Sequence, residues 1–343
     1  MGVKLTPLVK GETCELEELS GRVLAIDAYN FFYQFLASIR QPDGTPLMDS
    51  KGRVTSAHSG TFYRTANMLK IGIKPVFVFD GEPSPLKKAT LEARRKTREE
   101  AMEKWMKALR EGRIEEARKY AQAAIALDEE MVKDLEKLIT ALGVPVVHAP
   151  SEGEAQSAYM CSRGDVWATA SQDYDSLVFG SPRLVRNLAI VGRRKLPGKQ
   201  VYVKVSPEVF ELEKMLKELG IGREQLVALA ILVGTDYNPG GVPGIGPKRA
   251  LSIVRKHKDI DRVFREVKWE FEVDPMEIAR IFLEPDVTSN YTLEWKPVDR
   301  DRVLRILVDE HDFSFERVSK ALDEIEAAVE RARKRRSLEA WFK

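Results

Sequence analysis

The stretch Val23-Leu24-Ala25-Ile26-Asp27 decides how the rest of the chain is interpreted. A short apolar run ends directly in an acidic residue, which is typical of a buried strand whose end reaches a ligand-binding edge. The pattern returns in Val76-Phe77-Val78-Phe79-Asp80, and further apolar runs of strand length lie at residues 144–147, 166–170 and 184–188. Because segments of helical periodicity separate these runs, we predict an α/β protein with a mostly parallel central sheet flanked by helices.

Helical segments account for most of the remaining chain. Residues 86–142 form a helical stretch that breaks near Gly112. It is longer than the crossover between two parallel strands requires, so we predict a helical arch inserted at about residues 82–135. After about residue 205 we expect no further strands and only helices, at residues 208–219, 223–233, 248–257, 275–282, 300–309 and 315–335.

The composition limits the class of protein. Charged residues make up 31% and hydrophobic residues 43% of the 343, which is too apolar for a disordered chain and too charged for a membrane protein. We find no membrane-spanning run and no signal peptide, so we expect a soluble, intracellular protein. Two cysteines and four widely scattered histidines argue against a structural zinc site or an imidazole site, and we expect any metal to bind oxygen. These residues are Cys14, Cys161, His58, His148, His257 and His311.

Acidic residues follow the ends of the predicted strands, and one more follows an apolar helix. They are Asp27, Asp80, Glu152, Glu154, Asp173, Asp175 and Asp236. The carboxyl ends of parallel strands share one edge of a sheet, so these side chains are expected to converge. Taken singly, some could be helix caps: Asp27 precedes a helix, and Ser151 to Glu154 has the spacing of a capping box.

Seven carboxylates in one place repel one another unless cations lie between them. Ligation by oxygen alone favours Mg²⁺ or Mn²⁺, and seven acids exceed what one octahedral ion uses. We therefore predict two ions. Such a pair activates water and stabilises the leaving oxygen of a phosphodiester, which predicts cleavage of a phosphate ester.

A basic segment lies in the predicted arch. Residues 87–110 contain nine Lys or Arg against four Glu. Lys87 and Arg94 are seven residues apart, so both face one side of a helix and could reach a scissile phosphate together. The alternative is an ordinary solvated cationic face.

A glycine-rich turn between two helices gives a second signal for nucleic acid. It reads Gly240-Gly241-Val242-Pro243-Gly244-Ile245-Gly246-Pro247-Lys248-Arg249. Glycines let backbone amides approach a phosphate, and the following helix start favours an anion. We predict a helix-hairpin-helix-type DNA-binding region at about residues 223–258, which contacts DNA through Gly244, Gly246, Lys248 and Arg249. Tyr33 could stack on a base, although core filling is the simpler interpretation.

Six motifs, in this order and spacing, resemble the archaeal flap endonucleases. They are Ala25-Ile26-Asp27-Ala28, Val78-Phe79-Asp80-Gly81, Ala149-Pro150-Ser151-Glu152-Gly153-Glu154-Ala155, Asp173-Tyr174-Asp175-Ser176-Leu177, Gly234-Thr235-Asp236-Tyr237 and Gly244-Ile245-Gly246-Pro247-Lys248-Arg249. The resemblance implies two-metal removal of 5′ flaps from branched DNA, with 5′–3′ exonuclease activity, in replication and repair. It also implies a monomer that is cytoplasmic and nucleoid-associated.

The resemblance also implies roles for individual residues. Asp27, Asp80, Glu152 and Glu154 would hold one ion, and Asp173, Asp175 and Asp236 the other. Lys87 and Arg94 match the arch cations, Tyr33 matches a base-stacking tyrosine, and the hairpin at residues 240–248 would bind K⁺. Thr55, Phe313 and Arg317 resemble a pocket for a one-nucleotide 3′ flap.

The carboxyl-terminal segment resembles a sliding-clamp-binding box, with Leu338, Trp341 and Phe342 as anchors and Arg335 where Gln is usual. We therefore expect one composite nuclease domain over residues 1–330 and a basic, flexible tail at residues 331–343. Three alternatives stay open. They are a related junction- or bubble-cutting nuclease, a non-catalytic branched-DNA adaptor for the clamp, and a phosphatase acting on a small molecule.

Overall fold

A seven-stranded sheet forms the centre of the computed structural model, which describes residues 2–41, 44–124, 126–190, 192–195 and 202–341. Its strands lie in the order β1-β9-β6-β5-β2-β3-β4. A separate antiparallel ribbon consists of β7 and β8. The strands are β1 (Glu12–Thr13), β2 (Val23–Asp27), β3 (Lys74–Phe79), β4 (Val146–His148), β5 (Ala168–Ala170), β6 (Arg183–Arg186), β7 (Gly192–Lys195), β8 (Tyr202–Val205) and β9 (Glu208–Glu211).

The five predicted strands are present and mutually parallel, from β6 to β4. In the centre, Ile26 of β2 lies opposite Phe77 of β3 and Ala170 of β5. The expectation of helices alone after residue 205 is wrong, because β9 pairs antiparallel with both β6 and β1. Four residues are too few to show a strand periodicity, and the partners of β9 are distant in sequence.

Helices cover both faces of the sheet. The α-helices are α1 (Ala28–Ser38), α2 (Ser56–Lys70), α3 (Lys88–Arg110), α4 (Ile114–Ala124), α5 (Glu129–Ala141), α6 (Gly153–Ser162), α7 (Asp175–Val178), α8 (Leu212–Leu219), α9 (Arg223–Val233), α10 (Pro247–Lys256), α11 (Ile260–Arg265), α12 (Pro275–Leu283), α13 (Arg300–Leu304) and α14 (Phe315–Trp341). A π-helical turn, Arg305–Glu310, continues α13. No helix in this described part of the chain has both the length and the apolarity needed to cross a membrane.

The alternation of side chains along β2 divides the core between the two faces. Leu24 and Ile26 pack with α1, α2 and α5, whereas Ala25 packs with Met160 and Cys161 of α6. A further apolar cluster joins α7 to α12 and contains the fully buried Phe282. The two faces therefore hold the ends of β2, β3, β4 and β5 in a fixed relation.

Helices α3 and α4 form a hairpin with a small apolar cluster of its own. α3 ends at Arg110, and the chain turns through Gly112, whose φ of 69° favours glycine. Trp105 is buried there against alanines of both helices. By contrast, α5 packs into the main core through Met131 and Leu135.

Candidate active site

Two of the predicted acids lie at the ends of the central strands. Asp27 is the last residue of β2, and its Oδ1 accepts a hydrogen bond from the Asn30 amide at 3.0 Å. It is thus a helix cap, as one interpretation allowed. Asp80 follows β3, and its Oδ1 accepts from the Gly153 amide, at the start of α6, at 2.6 Å. Each carboxylate is fixed by backbone at the carboxyl edge of the sheet.

Glu152 and Glu154 begin α6, which follows β4. The capping-box interpretation of Ser151 and Glu154 is wrong, because the helix begins at Gly153 and Glu152 is the capping residue, without a side-chain cap. Glu154 is instead turned inward, and its Oε1 is buried without a hydrogen-bond partner in the described part of the chain. An unpaired buried carboxylate oxygen is unfavourable, so this atom favours a cation nearby.

Asp173 lies in the turn between β5 and α7, and Asp175 is the first residue of α7. The side-chain amide of Asn30 donates to Asp173 Oδ2 at 3.1 Å, and the backbone amide of Val3 donates to Asp175 Oδ1 at 2.7 Å. The amino-terminal segment lies tightly against the pair: a Cβ added to Gly2 would lie 2.5 Å from Cβ of Asp173. The roles of Gly2, Val3 and Asn30 cannot be seen in the sequence, because none of these residues carries a charge and their contacts are non-local.

The predicted cations face the acids from the start of the helical hairpin. Lys87 Nζ lies 2.5 Å from Glu152 Oε2 and 3.7 Å from Asp236 Oδ2. Arg94 forms an ion pair with Asp236, and Thr90 Oγ1 donates to the Asp236 carbonyl at 2.7 Å. Asp236 follows α9, so these contacts connect α3 to the helical second half.

The acids strongly perturb one another's ionisation. Burial, reinforced by the Asp80 charge, raises the pKa of Asp27 to about 8. Burial and neighbouring carboxylates likewise raise the pKa of Asp80 to about 6 and that of Asp175 to about 7. For Glu154 burial is again the largest cause, followed by Asp175 and Asp27, and the pKa lies well above its ordinary value. Without a counter-charge the site therefore retains protons near neutral pH.

Positive charge acts in the opposite direction at Asp236. Burial opposes its ionisation, but Lys87 and Arg94 lower its pKa. Burial would also lower the pKa of Lys87, yet Glu152 and Asp236 raise it. The site is thus a group of acids with two cations, Lys87 and Arg94, on one side. This arrangement attracts a phosphate together with its counter-ions.

Comparison with known proteins identifies the family. Residues 1–101 match the XPG N-terminal domain, and residues 143–236 match the XPG I-region. The chain is 57% identical to Flap endonuclease 1 of Pyrococcus furiosus and 55% identical to that of Korarchaeum cryptofilum, with 100% of both chains covered in each comparison. The chain belongs to the flap endonuclease 1 family.

A solved structure of this family supports the same assignment. Flap endonuclease-1 from Methanococcus jannaschii matches the fold with a TM-score of 0.77 at 42% identity, over 96% of this chain and 100% of that one. The predicted family and α/β fold class are therefore confirmed. The family also confirms the prediction that the protein is a flap-cleaving nuclease.

The donor set fits hard divalent cations. The seven carboxylates, without imidazole or thiolate among them, lie close enough to perturb one another's ionisation, and their mutual repulsion is relieved when cations lie between them. The buried, unpartnered Oε1 of Glu154 marks one point where such an ion would gain a ligand. The residues present therefore fit the metal that the sequence predicts.

The residues predicted to contact DNA differ in exposure. Tyr33 is 40% exposed, and its hydroxyl lies 3.4 Å from Arg98 Nη1 of α3, so core filling is wrong for this ring. Thr55 is buried, at 5% exposure. Phe313 packs partly buried against the core, whereas Arg317 is exposed.

The segments that carry the predicted 3′-flap pocket are connected. The amide of Ser50 donates to Asp312 Oδ2 at 2.6 Å, and Arg53 donates to the Glu310 carbonyl. These contacts hold the loop before Thr55 against the turn before Phe313.

The glycine-rich turn lies between α9 and α10, which pack on each other. A Cβ added to Gly244 or Gly246 would meet no atom within 4 Å, so the backbone there is open to an approaching ligand. Gly246 caps α10, and Lys248 and Arg249 in its first turn are exposed.

The predicted clamp-binding box falls at the end of α14. The side chains of Leu338 and Trp341, and Phe342 as a whole, lie outside the described residues.

Proposed function

We propose that the protein removes 5′ flaps from branched double-stranded DNA by two-metal hydrolysis, with Mg²⁺ as the ion and Mn²⁺ as a substitute. One observation carries the proposal: mutually repelling carboxylates at the strand ends face Lys87 and Arg94 on the helical hairpin. The family supports the flap substrate. A non-catalytic adaptor would not need so many mutually repelling carboxylates. A phosphatase acting on a small molecule would not need the glycine-rich hairpin.

The seven acids are proposed to serve two ions. We propose that Asp27, Asp80, Glu152 and Glu154 hold one ion, and that Asp173, Asp175 and Asp236 hold the other. When bound, such a pair activates a water and stabilises the leaving oxygen. Asn30 orients Asp173, and the Gly153 and Val3 amides orient Asp80 and Asp175. These neutral donors fix the carboxylates without competing for the ions' charge.

Lys87 and Arg94 would move between two partners. Lys87 contacts Glu152, and Arg94 contacts Asp236. Lys87, directly before α3, and Arg94, seven residues later on that helix, would be available to the scissile phosphate when the charge of these acids is neutralised. Stabilisation of developing phosphate charge by such groups contributes roughly 10²–10³ in rate.

The DNA is proposed to run across one side of the molecule. Helices α3 and α4 serve as the arch that the flap strand passes. The exposed Tyr33 stacks on the base beside the scissile bond, and the hairpin at residues 240–248 grips the downstream duplex with K⁺ in the loop. Thr55, Phe313 and Arg317 would line the 3′-flap pocket, in which the buried Thr55 contributes shape more than contact area.

Cleavage of a labelled 5′-flap substrate tests the mechanism. We expect Asp80→Ala or Asp175→Ala to reduce the single-turnover rate by at least about 10²-fold in Mg²⁺. Asp301→Ala, an exposed acid in the first turn of α13, is the matched control and should cut like wild type. Wild-type rates in Asp175→Ala would refute the mechanism, and a preference for bubbles or four-way junctions over flaps would favour the related nucleases.

The remaining proposals concern assembly. We propose a cytoplasmic, nucleoid-associated monomer with residues 1–330 as the nuclease domain and residues 331–343 as a tail that binds a sliding clamp. Removal of residues 335–343 should weaken stimulation by the clamp and leave basal flap cleavage unchanged. Equal stimulation of the truncated chain would eliminate the role of the box.

A further inference from the structure

A buried group of two histidines and one aspartate lies apart from the acids at the strand ends. His58 is in the first turn of α2, Asp134 lies on α5, and His311 follows the π-helical turn. One ligand atom from each of the three lies within 4.8 Å of the others. The sequence analysis expected no imidazole site, because these histidines are far apart along the chain. The structure brings their rings to a centroid separation of 4.3 Å.

The hydrogen bonding of this group is incomplete. His311 Nδ1 lies 3.4 Å from Asp49 Oδ2, within reach of a weak hydrogen bond. Its Nε2 lies 3.6 Å from Asp134 Oδ2, and this second distance is too long for a hydrogen bond. A neutral imidazole has one N–H, so at most one of these carboxylates receives it. His58 is 1% exposed, and both of its ring nitrogens lack a partner among the described residues. Buried polar atoms are rarely left in this state.

Two kinds of cation could complete the group. A proton on His311 would serve both carboxylates but would leave both nitrogens of His58 unpartnered. A metal ion would accept a nitrogen from each ring and an oxygen from Asp134. Burial, together with the charge of His311, lowers the pKa of His58 to about 4, so its ring keeps a lone pair for such an ion.

We propose that His58, His311 and Asp134 bind one Zn²⁺ or a similar borderline divalent ion through three protein ligands, at a site separate from the proposed Mg²⁺ site. Imidazole nitrogen with one carboxylate suits Zn²⁺ and not Mg²⁺. Asp49 acts as the outer partner that accepts the Nδ1 proton of His311 and turns Nε2 towards the ion, as carboxylates often do behind a metal-bound histidine.

The ion would connect three elements that are distant in the chain. It joins the start of α2 and the middle of α5 to the turn before Phe313. That turn already contacts the loop at residues 49–53, through Ser50 and Arg53. The site would therefore fix the loop that leads into Thr55.

The test uses the full chain without an affinity tag, dialysed against Zn²⁺ in excess Mg²⁺, with retained Zn²⁺ measured by elemental analysis. We expect one Zn²⁺ per wild-type chain and at least about tenfold weaker retention in His58→Gln, His311→Gln and Asp134→Asn. His148→Gln is the matched control, since His148 is an exposed histidine, and it should retain the ion. Co²⁺ in place of Zn²⁺ should give visible absorption that the same variants lose.

Two outcomes overturn the proposal. If wild type retains no Zn²⁺ at all, the group holds a proton only. If all variants retain it equally, the ion lies elsewhere. If His58→Gln fails to fold, Asp134→Asn and the thermal midpoint of wild type with and without Zn²⁺ decide, because the proposed site raises that midpoint and a vacant one does not.

Discussion

Replacement of Asp175 by Asn should stabilise the metal-free protein while it destroys activity. Asp175 is buried, and burial together with the Asp173 charge raises its pKa from 3.8 to about 7. The amide has nearly the same shape and can still accept the hydrogen bond from the Val3 amide. The substitution therefore removes the repelled charge and retains the principal contact.

The magnitude follows from the change in pKa. A difference between 3.8 and about 7 corresponds to about 4 kcal/mol of folding free energy at a pH above both values, since each tenfold change is about 1.4 kcal/mol. Neighbouring acids share this repulsion, and the new NH₂ group needs a partner of its own. We therefore expect a gain of about 2 kcal/mol at pH 8 in EDTA.

The sign of the pH dependence distinguishes this effect from a packing effect. Below about pH 4 the carboxyl group is protonated in both the folded and the unfolded wild type, so the variant gains little. As the pH rises from about 4 through about 7, the unfolded chain ionises first and the folded wild type loses stability. The advantage of Asp175→Asn should thus appear across this interval and be complete near pH 8.

Thermal unfolding in EDTA at pH 5, 6, 7 and 8 measures the effect, with Asp301→Asn as the exposed control that should follow wild type. In excess Mg²⁺ the order should reverse, because Asp175 is one of the proposed ligands and only wild type would offer the full set. An Asn variant that is less stable than wild type at pH 8 in EDTA would refute the reasoning. A gain that does not vary with pH would do the same.

Three further predictions concern single contacts. Gly2→Ala should lower flap cleavage at least about tenfold, because the new Cβ would lie 2.5 Å from that of Asp173. The control Gly222→Ala should be neutral, because its Cβ would make only an ordinary contact at 3.7 Å. Equal activity of the two variants would contradict the prediction. Tyr33→Ala should reduce cleavage by roughly 5- to 150-fold without loss of thermal stability, because lost base stacking amounts to about 1–3 kcal/mol. Tyr33→Phe keeps the ring and should cleave like wild type. Failure of the Phe variant to cleave would exclude stacking. Lys248→Ala should weaken duplex binding, measured by fluorescence anisotropy, and reduce the slope of log K against log salt by about 1, whereas an unchanged slope would mean that Lys248 does not contact phosphate.

Local patterns were sufficient for most of the sheet and for the identity of the acids. The runs that end in Asp27 and Asp80 indicate strands, because an apolar run of strand length stops at an acid. The apolar run and the acid are adjacent in the chain, so the pattern can be recognised from sequence. The strand β9 was missed because four residues carry too little periodicity. The capping box at Ser151 failed for a related reason: the spacing fits, but burial of Glu154 decides where its side chain points.

Residue identities and their spacing are enough to show which residue types stand at the strand exits, where the glycine-rich turn lies and which family the chain resembles. The folded chain is needed to show that Asn30 and the Val3 amide orient the acids, that Tyr33 is exposed, and that His58 lies beside His311 and Asp134 in a buried group. The physical reason is that helix and strand signals depend on neighbours a few residues away. Burial, pKa and ligand geometry depend instead on distances between segments, which packing of the whole chain sets.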